Sequence, residues 1–378
     1  MLTRAAWDTG TRRSDQSWMA AALALGRQGN GRTAPNPSVG AVIVKDGVVV
    51  GLGRTADSGR PHAEVVALRQ AGDAARGATV YCTLEPCSHF GKSPPCADAL
   101  IAAGIARAVV AIEDPNPEVA GRGTSRLRAA GIDVDVGLGA AQATRDMAGH
   151  LTRMRLGRPY VTLKLAVSAD GAIGRLGAGQ VAVTGPLTRR FVHVMRAEHD
   201  AIAVGSGTVL ADDPALTCRL PGMAGLSPQR VVFDTEARTP PTAAIFAGPA
   251  KIFGTVAGPT ILTAPDVDAG RAAALEAAGA TVVAVPRGAD RRIDPAAALA
   301  TLAAAGVTRL MVEGGAALAE ALWAADLIDE VVWIEGPHAL GGDLVRPFGG
   351  EGRSRLAQRF ALGHVSPVGD DRWLHWLR

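Results

Sequence analysis
Four residues in the first hundred constrain this chain most: His62, Glu64, Cys87 and Cys96. Whatever fold forms must bring one imidazole, two thiols and one carboxylate to a single point if they share a task. Two thiolates and a neutral imidazole supply the three protein ligands of a catalytic zinc site, which keeps its fourth position for water. Sulfur donors are soft and favour zinc over magnesium or calcium. The carboxylate is then left to take a proton from the activated water and pass it to a leaving group. A closed, purely structural site would need a fourth ligand, for which His89 is the candidate. Cys82, in mid-strand, and Cys218, far downstream, read as small buried hydrophobes.

The local sequence suits such a site. Residues 39–50 read as two strands around Lys45-Asp46-Gly47, whose Asp-Gly pair favours a tight turn. His62 opens a helical stretch, HAEVVALRQAG. Positions i and i+2 diverge in mid-helix, so His62 and Glu64 can face one site only at the helix start, where unpaired N–H groups favour anions. Residues 78–84 (ATVYCTL) read as a strand with Cys87 in the turn after it. Cys96 opens the next helix, where a thiol's pKa is lowered. H-x-E followed by P-C-x-x-C is the general signature of zinc nucleobase deaminases. The chain matches it except that the second spacing is C-x8-C.

The length of 378 residues implies two or three domains. Residues 1–14 read as a flexible tail, with Ser14 or Asp15 capping a first helix through Leu25. Strands and helices then alternate to about Gly139, which implies an α/β layered domain with a mostly parallel inner sheet. A helix over 140–154 leads into a linker around Leu156-Gly157-Arg158-Pro159. The boundaries are drawn at 15–150 for the first domain, 151–158 for the linker and 159–378 for the second domain. In the second domain, 160–167, 201–205, 230–233, 260–262, 281–285, 309–312, 331–334 and 372–377 read as strands. Residues 187–198 and 295–305 read as helices. Glu313-Gly314-Gly315 follows a buried strand and opens a helix, a turn that lets backbone N–H groups approach a phosphate.

Longer motifs carry a resemblance. Residues 83–96 (TLEPCSHFGKSPPC), 35–40 (PNPSVG), 61–64 (PHAE) and 114–123 (DPNPEVAGRG) closely resemble the deaminase half of the bifunctional riboflavin-biosynthesis deaminase-reductases. The resemblance implies a cytidine-deaminase-like three-layer fold. It implies zinc on His62, Cys87 and Cys96, with Glu64 as the catalytic proton carrier. It implies a pyrimidine ribose phosphate substrate, 2,5-diamino-6-ribosylamino-4(3H)-pyrimidinone 5′-phosphate, attacked by zinc hydroxide at the carbon bearing the 2-amino group. Asn36, Ser88, His89 and Lys92 would line the pocket, and Lys92 suits a phosphate on charge grounds.

RPYVTLKLAVSADG, VGSGTVLADDPALTCR and VEGGAALAEAL, within 158–378, resemble the reductase half of the same family, a dihydrofolate-reductase-like α/β domain. This implies NADPH-dependent reduction of the ribosyl group to ribityl, with hydride from the cofactor. Ala166, Thr184, Thr208, Asp212, Gly314 and Gly315 would contact NADPH. Lys164, Arg196, Arg219 and Glu313 would hold the sugar phosphate, and Asp212 would also serve proton transfer. Two stretches depart from the family pattern: Ser168-Ala169-Asp170-Gly171 in place of S-L-D-G, and GQVAVT at 179–184, which puts Ala182 where the family has tryptophan. That second departure leaves open a domain that only binds ligand or builds an oligomer.

A net charge of +3 is too mild to argue for nucleic acid or membrane binding. A deaminase acting on nucleic acid would need a basic stripe and stacking aromatics. No run of 18 apolar residues appears, and the first 15 residues lack the apolar core of a secretory signal. Few cysteines, three of them given to metal, fit a cytoplasmic enzyme. A homo-oligomer is expected.

Overall fold
The computed structural model describes residues 11–90, 94–116, 120–250 and 258–378. It divides after Leu156 into two compact units.

The first unit runs α1 (Thr11–Arg27), β1 (Gly40–Lys45), β2 (Val48–Arg54), α2 (Ala63–Ala71), β3 (Thr79–Cys82), α3 (Cys96–Ala102), β4 (Arg107–Val110), α4 (Arg122–Ala129), β5 (Asp133–Val136), α5 (Ala140–Asp146) and α6 (Ala148–Leu156). Its sheet has the order β2-β1-β3-β4-β5. The pairs β3–β4 and β4–β5 are parallel. β1 is antiparallel to both β2 and β3, so the sheet is half antiparallel where the sequence pattern suggested a mostly parallel one. The cause is local: Asp46-Gly47, both at positive φ, close a β1–β2 hairpin, and no helix intervenes to reverse the chain.

Glycines decide how the layers stack. A Cβ on Gly40 would lie 1.8 Å from the Ala22 carbonyl oxygen of α1. One on Gly53 would lie 2.1 Å from the Ala63 carbonyl, and one on Gly51 2.3 Å from that of Ala67, both in α2. Gly51 and Gly53 pair with Ile43 and Ala41, and side chains alternate faces along a strand. Gly40 therefore faces the side opposite to Gly51 and Gly53, with α1 on one face of the sheet and α2 on the other. Ala41, Val42 and Ile43, all fully buried, fill both interfaces.

Three expectations change. The first helix starts at Thr11, and Asp15 does not cap it. Asp15 instead accepts hydrogen bonds from Tyr81 Oη (2.5 Å) and the Arg107 guanidinium (2.9 and 3.1 Å). The helix read as 140–154 is two helices meeting at Met147. Residues 151–156, read as linker, continue α6, because Leu151 is buried against the domain core.

The second unit contains β6 (Tyr160–Val167), β7 (Gly174–Arg175), α7 (Pro186–Glu198), β8 (Ala201–Gly205), α8 (Ser206–Asp212), β9 (Gln229–Phe233), β10 (Thr260–Thr263), α9 (Ala269–Ala277), β11 (Thr281–Ala284) and α10 (Pro295–Ala304). It continues with β12 (Arg309–Glu313), α11 (Ala316–Ala324), β13 (Glu330–Glu335), β14 (Leu344–Val345), α12 (Arg353–Leu356), β15 (Ala361–Val368) and β16 (Asp371–Leu377). Its nine-stranded sheet has the order β11-β10-β9-β8-β12-β6-β13-β16-β15. The strands from β11 through β13 are parallel, and the β16–β15 pair closes one edge antiparallel. Leu310, Met311 and Val312 of β12 are all fully buried, the continuous apolar run of a strand covered on both faces. α10 starts on an ordinary cap: Asp294 accepts from the N–H groups of Ala296 and Ala297, and Pro295 takes the first helical position. In open parallel sheets, ligands bind outside the carboxyl ends of the strands. Here those ends carry Glu313, Gly205, Asp234 and Ser168.

Among the described residues, no helix is long and apolar enough to cross a membrane.

Candidate active site
In the first unit, His62 is the N-cap residue of α2 and Cys96 is the first residue of α3. Cys87 lies in the turn after β3. Close packing of α2 on Gly51 and Gly53 brings the helix start to the end of β3, where the turn carries Cys87. His62 Nδ1 lies 3.4 Å from Cys96 Sγ and 3.7 Å from Cys87 Sγ. All three donor atoms lie within 4.8 Å of one another. A tetrahedral zinc with Zn–S about 2.3 Å and Zn–N about 2.05 Å requires N···S edges of about 3.6 Å. The donor set and spacing fit zinc. His89 is exposed and outside this group, and among the described residues no fourth His, Cys or carboxylate joins it. That leaves the three-ligand arrangement of a catalytic rather than a closed site.

Electrostatics agree with metal-ready sulfurs. Hydrogen bonds from the Cys96 thiol, the His62 ring and the Cys96 N–H (3.3 Å) hold Cys87 at about 4 against burial. The Cys87 contact, together with burial, pushes Cys96 up; a metal would need both thiols deprotonated. Contact with Cys87 raises the His62 ring. Glu64, only 3% exposed, sits in the first turn of α2. Burial, with the Cys87 charge added, raises its carboxyl to about 7. Cys82 lies fully buried in β3, and burial raises its thiol. Cys218 is buried in the second unit.

Asn36 is half-buried and donates from Nδ2 to the Gly59 carbonyl (3.0 Å), which fixes it to the turn leading into His62. Ser88 is half-buried, and its carbonyl accepts from Arg126. Lys92 lies outside the described residues.

Sequence reasoning missed Glu85. It is 3% exposed and accepts from the N–H groups of Asp114 (3.2 Å), Gly121 (2.9 Å) and Thr124 (3.0 Å). Two residues before Cys87, it ties the metal turn to residues 114–124. A Cβ on Gly123 would meet the Pro86 carbonyl oxygen at 2.0 Å. The available signal was a charged residue inside an apolar strand end, TLEPC, a place where a carboxylate persists only if its oxygens are paired.

In the second unit, Lys164 of β6 and Glu313 of β12 are register partners on neighbouring strands. Arg196 of α7 forms a two-pronged ion pair with Glu313 (2.6 and 2.9 Å) and donates to the Thr217 carbonyl (2.9 Å). Lys164 Nζ is 3.8 Å from Glu313. Burial opposes ionisation of Glu313, but Arg196 and Lys164 outweigh it and hold the carboxyl at about 2. Burial, with Arg196 adding to it, lowers Lys164. His193, which the sequence reading passed over, sits one turn before Arg196. Its Nδ1 accepts from the N–H of Arg219 (3.4 Å). Burial lowers it, as do Arg196 and Arg219. Arg219 itself is exposed.

Gly314 and Gly315 have φ of 73° and 78°. A Cβ on Gly315 would lie 2.8 Å from Thr208 Oγ1, so this turn packs against α8. Ala166, in β6 beside Ile334, and Thr184, just before α7, are half-buried. Asp212 ends α8, half-buried, its carboxyl raised by burial. Among the described residues it shares no hydrogen bond or ion pair with the Lys164–Arg196–Glu313 cluster. Of the two family departures, Ala169 is exposed and its neighbour Asp170 still accepts from Ser168 Oγ (2.5 Å) and the N–H of Gly341 (2.9 Å). Ala182 is exposed, while Val183 beside it is buried against Gly336.

A three-ligand zinc site with a buried carboxylate, on one sheet, and a parallel-sheet domain with a charged cluster at its strand ends define a zinc-dependent deaminase joined to a reductase-type domain. Comparison with known proteins gives the same division. The cytidine and deoxycytidylate deaminase zinc-binding region matches residues 12–112, and the RibD C-terminal domain matches 159–373. The riboflavin biosynthesis protein RibD of Escherichia coli is 41% identical over 374 residues, covering 96% of this chain and 98% of its own. The RibD structure of Acinetobacter baumannii has a TM-score of 0.83 at 36% identity, covering 97% of this chain and 99% of its own. A Thermotoga maritima diaminohydroxyphosphoribosylaminopyrimidine deaminase/5-amino-6-(5-phosphoribosylamino)uracil reductase also reaches 0.83, at 29% identity.

The chain belongs to the RibD family of bifunctional riboflavin-biosynthesis enzymes, with a zinc-binding deaminase domain and an NADPH-using reductase domain.

Proposed function
We propose that this chain deaminates 2,5-diamino-6-ribosylamino-4(3H)-pyrimidinone 5′-phosphate in its first domain and reduces the product's ribosyl group to ribityl in its second. The observation that carries the reading is the triangle of His62, Cys87 and Cys96 with Glu64 buried beside it. His62, Cys87 and Cys96 would hold zinc, which when bound would supply a water that is nucleophilic near neutral pH. Glu64 would carry water's two protons in turn, the first to the ring nitrogen beside the attacked carbon and the second, from the new hydroxyl, to the departing amine, so that oxygen replaces the 2-amino group and ammonia leaves. Asn36, Ser88, His89 and Lys92 bind the pyrimidine and its ribose phosphate.

In the second domain, NADPH supplies the hydride. Lys164, Arg196 and Arg219 bind the sugar phosphate, and Glu313 aligns the first two. Ala166, Thr184, Thr208, Asp212, Gly314 and Gly315 contact the cofactor, and Asp212 moves a proton at the ring-opening step. The enzyme is a cytoplasmic homo-oligomer.

Mass spectrometry of the reaction with and without NADPH tests both halves. Deaminated product without NADPH and ribityl product with it are expected. Glu64→Gln should lower deamination by about 10²- to 10⁴-fold and leave reduction of the deaminated compound intact. No product from zinc-loaded wild type would sink the substrate assignment.

A further inference from the structure
We propose that His193 is a phosphate-binding residue of the second unit, donating from Nε2 to the sugar phosphate and gaining a proton when that phosphate binds. This rests on the reductase reading above, with the phosphate at Lys164, Arg196 and Arg219, and adds to it a residue that responds to the phosphate's charge.

Position supports it first. His193 and Arg196 are three residues apart on α7, so they share one face of the helix. Both grip the same stretch of backbone. Arg196 donates to the Thr217 carbonyl (2.9 Å), the Cys218 N–H donates to Ser227 Oγ (3.0 Å), and the Arg219 N–H donates to His193 Nδ1 (3.4 Å). Three successive residues are thus pinned. The imidazole sits against the residue that carries the exposed Arg219 side chain, with the Arg196 guanidinium one turn along the helix.

The hydrogen bond also fixes which nitrogen carries the proton. A neutral imidazole has one donor and one acceptor nitrogen. With Nδ1 accepting from Arg219, the donor is Nε2, and a phosphate dianion offers acceptors alone. His193 is half-buried rather than sealed.

Charge is the third support. Arg196 gives both prongs of its fork to Glu313 (2.6 and 2.9 Å) and a further N–H to Thr217. Lys164 stands 3.8 Å from the same carboxylate. Glu313 therefore claims much of the positive charge that a dianion needs, and a donor beside Arg219 makes up the deficit. Within the cluster, burial holds the imidazole below its ordinary pKa. Arg196 and Arg219 lower it further, while Glu313 and the Thr217 carbonyl oppose them. A phosphate at the two arginines brings up to two negative charges and reverses that balance. An opposite charge within about 4–6 Å favours the charged form of a titratable group, so the ring takes up a proton as the phosphate seats. Because the ring's pKa is then higher in the complex than in the free enzyme, affinity falls as pH rises from the one towards the other.

Steady-state reduction by the full zinc-loaded chain tests this. The substrates are the deaminated ribosyl phosphate and its dephosphorylated form, for wild type, His193→Gln and His193→Ala. Glutamine keeps a neutral donor and cannot take the proton. From pH 6.5 to 8 the phosphate is a dianion. Over that range the wild-type KM for the phosphorylated compound should rise about threefold or more, and His193→Gln should remove most of that rise. His193→Ala should raise the same KM about tenfold or more at pH 7, and that for the dephosphorylated compound far less. Calorimetry without NADPH, in two buffers of different ionisation enthalpy, should show wild type taking up about 0.3 proton or more on binding the phosphorylated compound, and His193→Gln taking up almost none. An unchanged KM in His193→Ala, equal losses on the two substrates, or undiminished proton uptake in His193→Gln overturns the role of His193 and leaves the reductase reading standing. A wild type that reduces neither compound overturns both.

Discussion

Glu313→Gln is the sharpest test of the charged cluster in the second domain. Glutamine nearly matches glutamate in volume, so no cavity contributes. What changes is that Arg196 and Lys164, whose side chains are only 11% and 15% exposed, lose the one carboxylate that pairs with them among the described residues. Breaking a buried pair from one side costs about 3–5 kcal/mol. An independent route gives the same scale. Glu313 titrates at about 2 in the fold against 4.5 for a free glutamate. At about 1.36 kcal/mol per pH unit, this contributes about 3.4 kcal/mol to stability at neutral pH. Because the folded pKa is depressed, that contribution is fully present above 4.5 and is lost as pH falls towards 2. At pH 3.5 about 2 kcal/mol should remain. Urea unfolding followed by tryptophan fluorescence is the assay, since Trp323, Trp333, Trp373 and Trp376, four of the chain's six tryptophans, lie in this domain. The gap between wild type and variant should be about 3 kcal/mol at pH 7 and shrink by about 1.4 kcal/mol at pH 3.5. A gap below about 1 kcal/mol at pH 7, typical of exposed pairs, would refute the claim that this cluster is a buried, mutually dependent unit. So would a gap that does not change with pH.

Two further outcomes follow from the first domain. Gly53→Ala places a Cβ 2.1 Å from the Ala63 carbonyl oxygen, so α2 must shift. The expected cost is about 1–3 kcal/mol, with a fall in bound zinc per chain by atomic absorption and reductase activity unchanged; full zinc occupancy and wild-type deamination would show that α2 is not seated by this contact. Glu85→Gln turns an acceptor oxygen into a donor against the N–H groups of Gly121 or Thr124. A loss of about 1.4 kcal/mol there corresponds to about tenfold faster amide exchange at Gly121 and Thr124, and unchanged exchange at both would show that Glu85 does not hold that segment.

What the sequence disclosed and what it hid differ in physical kind. The candidate metal ligands were legible because their chemistry is carried by residue type: an imidazole and two thiols beside a carboxylate suit a metal, and a helix start lets His62 and Glu64 face one site by local geometry alone. The parallel strands β6, β8 and β12 were legible for a similar reason, since a strand buried on both faces is largely apolar. β15 was not. It lies at the sheet edge and is mostly exposed along its length, so no burial pattern marks ALGHVSPV as a strand; only pairing with β16 makes it one.

Glu85 and Asp15 escaped because each is defined by distant partners. Asp15 looks like a helix cap until Tyr81 and Arg107 claim it, and Glu85 looks like a surface acid until three N–H groups from 114–124 converge on it. Arg238 and Asp234 fall in the same class. A sequence places both just past a strand, but only the fold shows Asp234 turned in on Thr239 and Arg238 donating to Ser206 of α8. Residues whose role depends on direction rather than on type are therefore the place to look for specificity that motifs do not record.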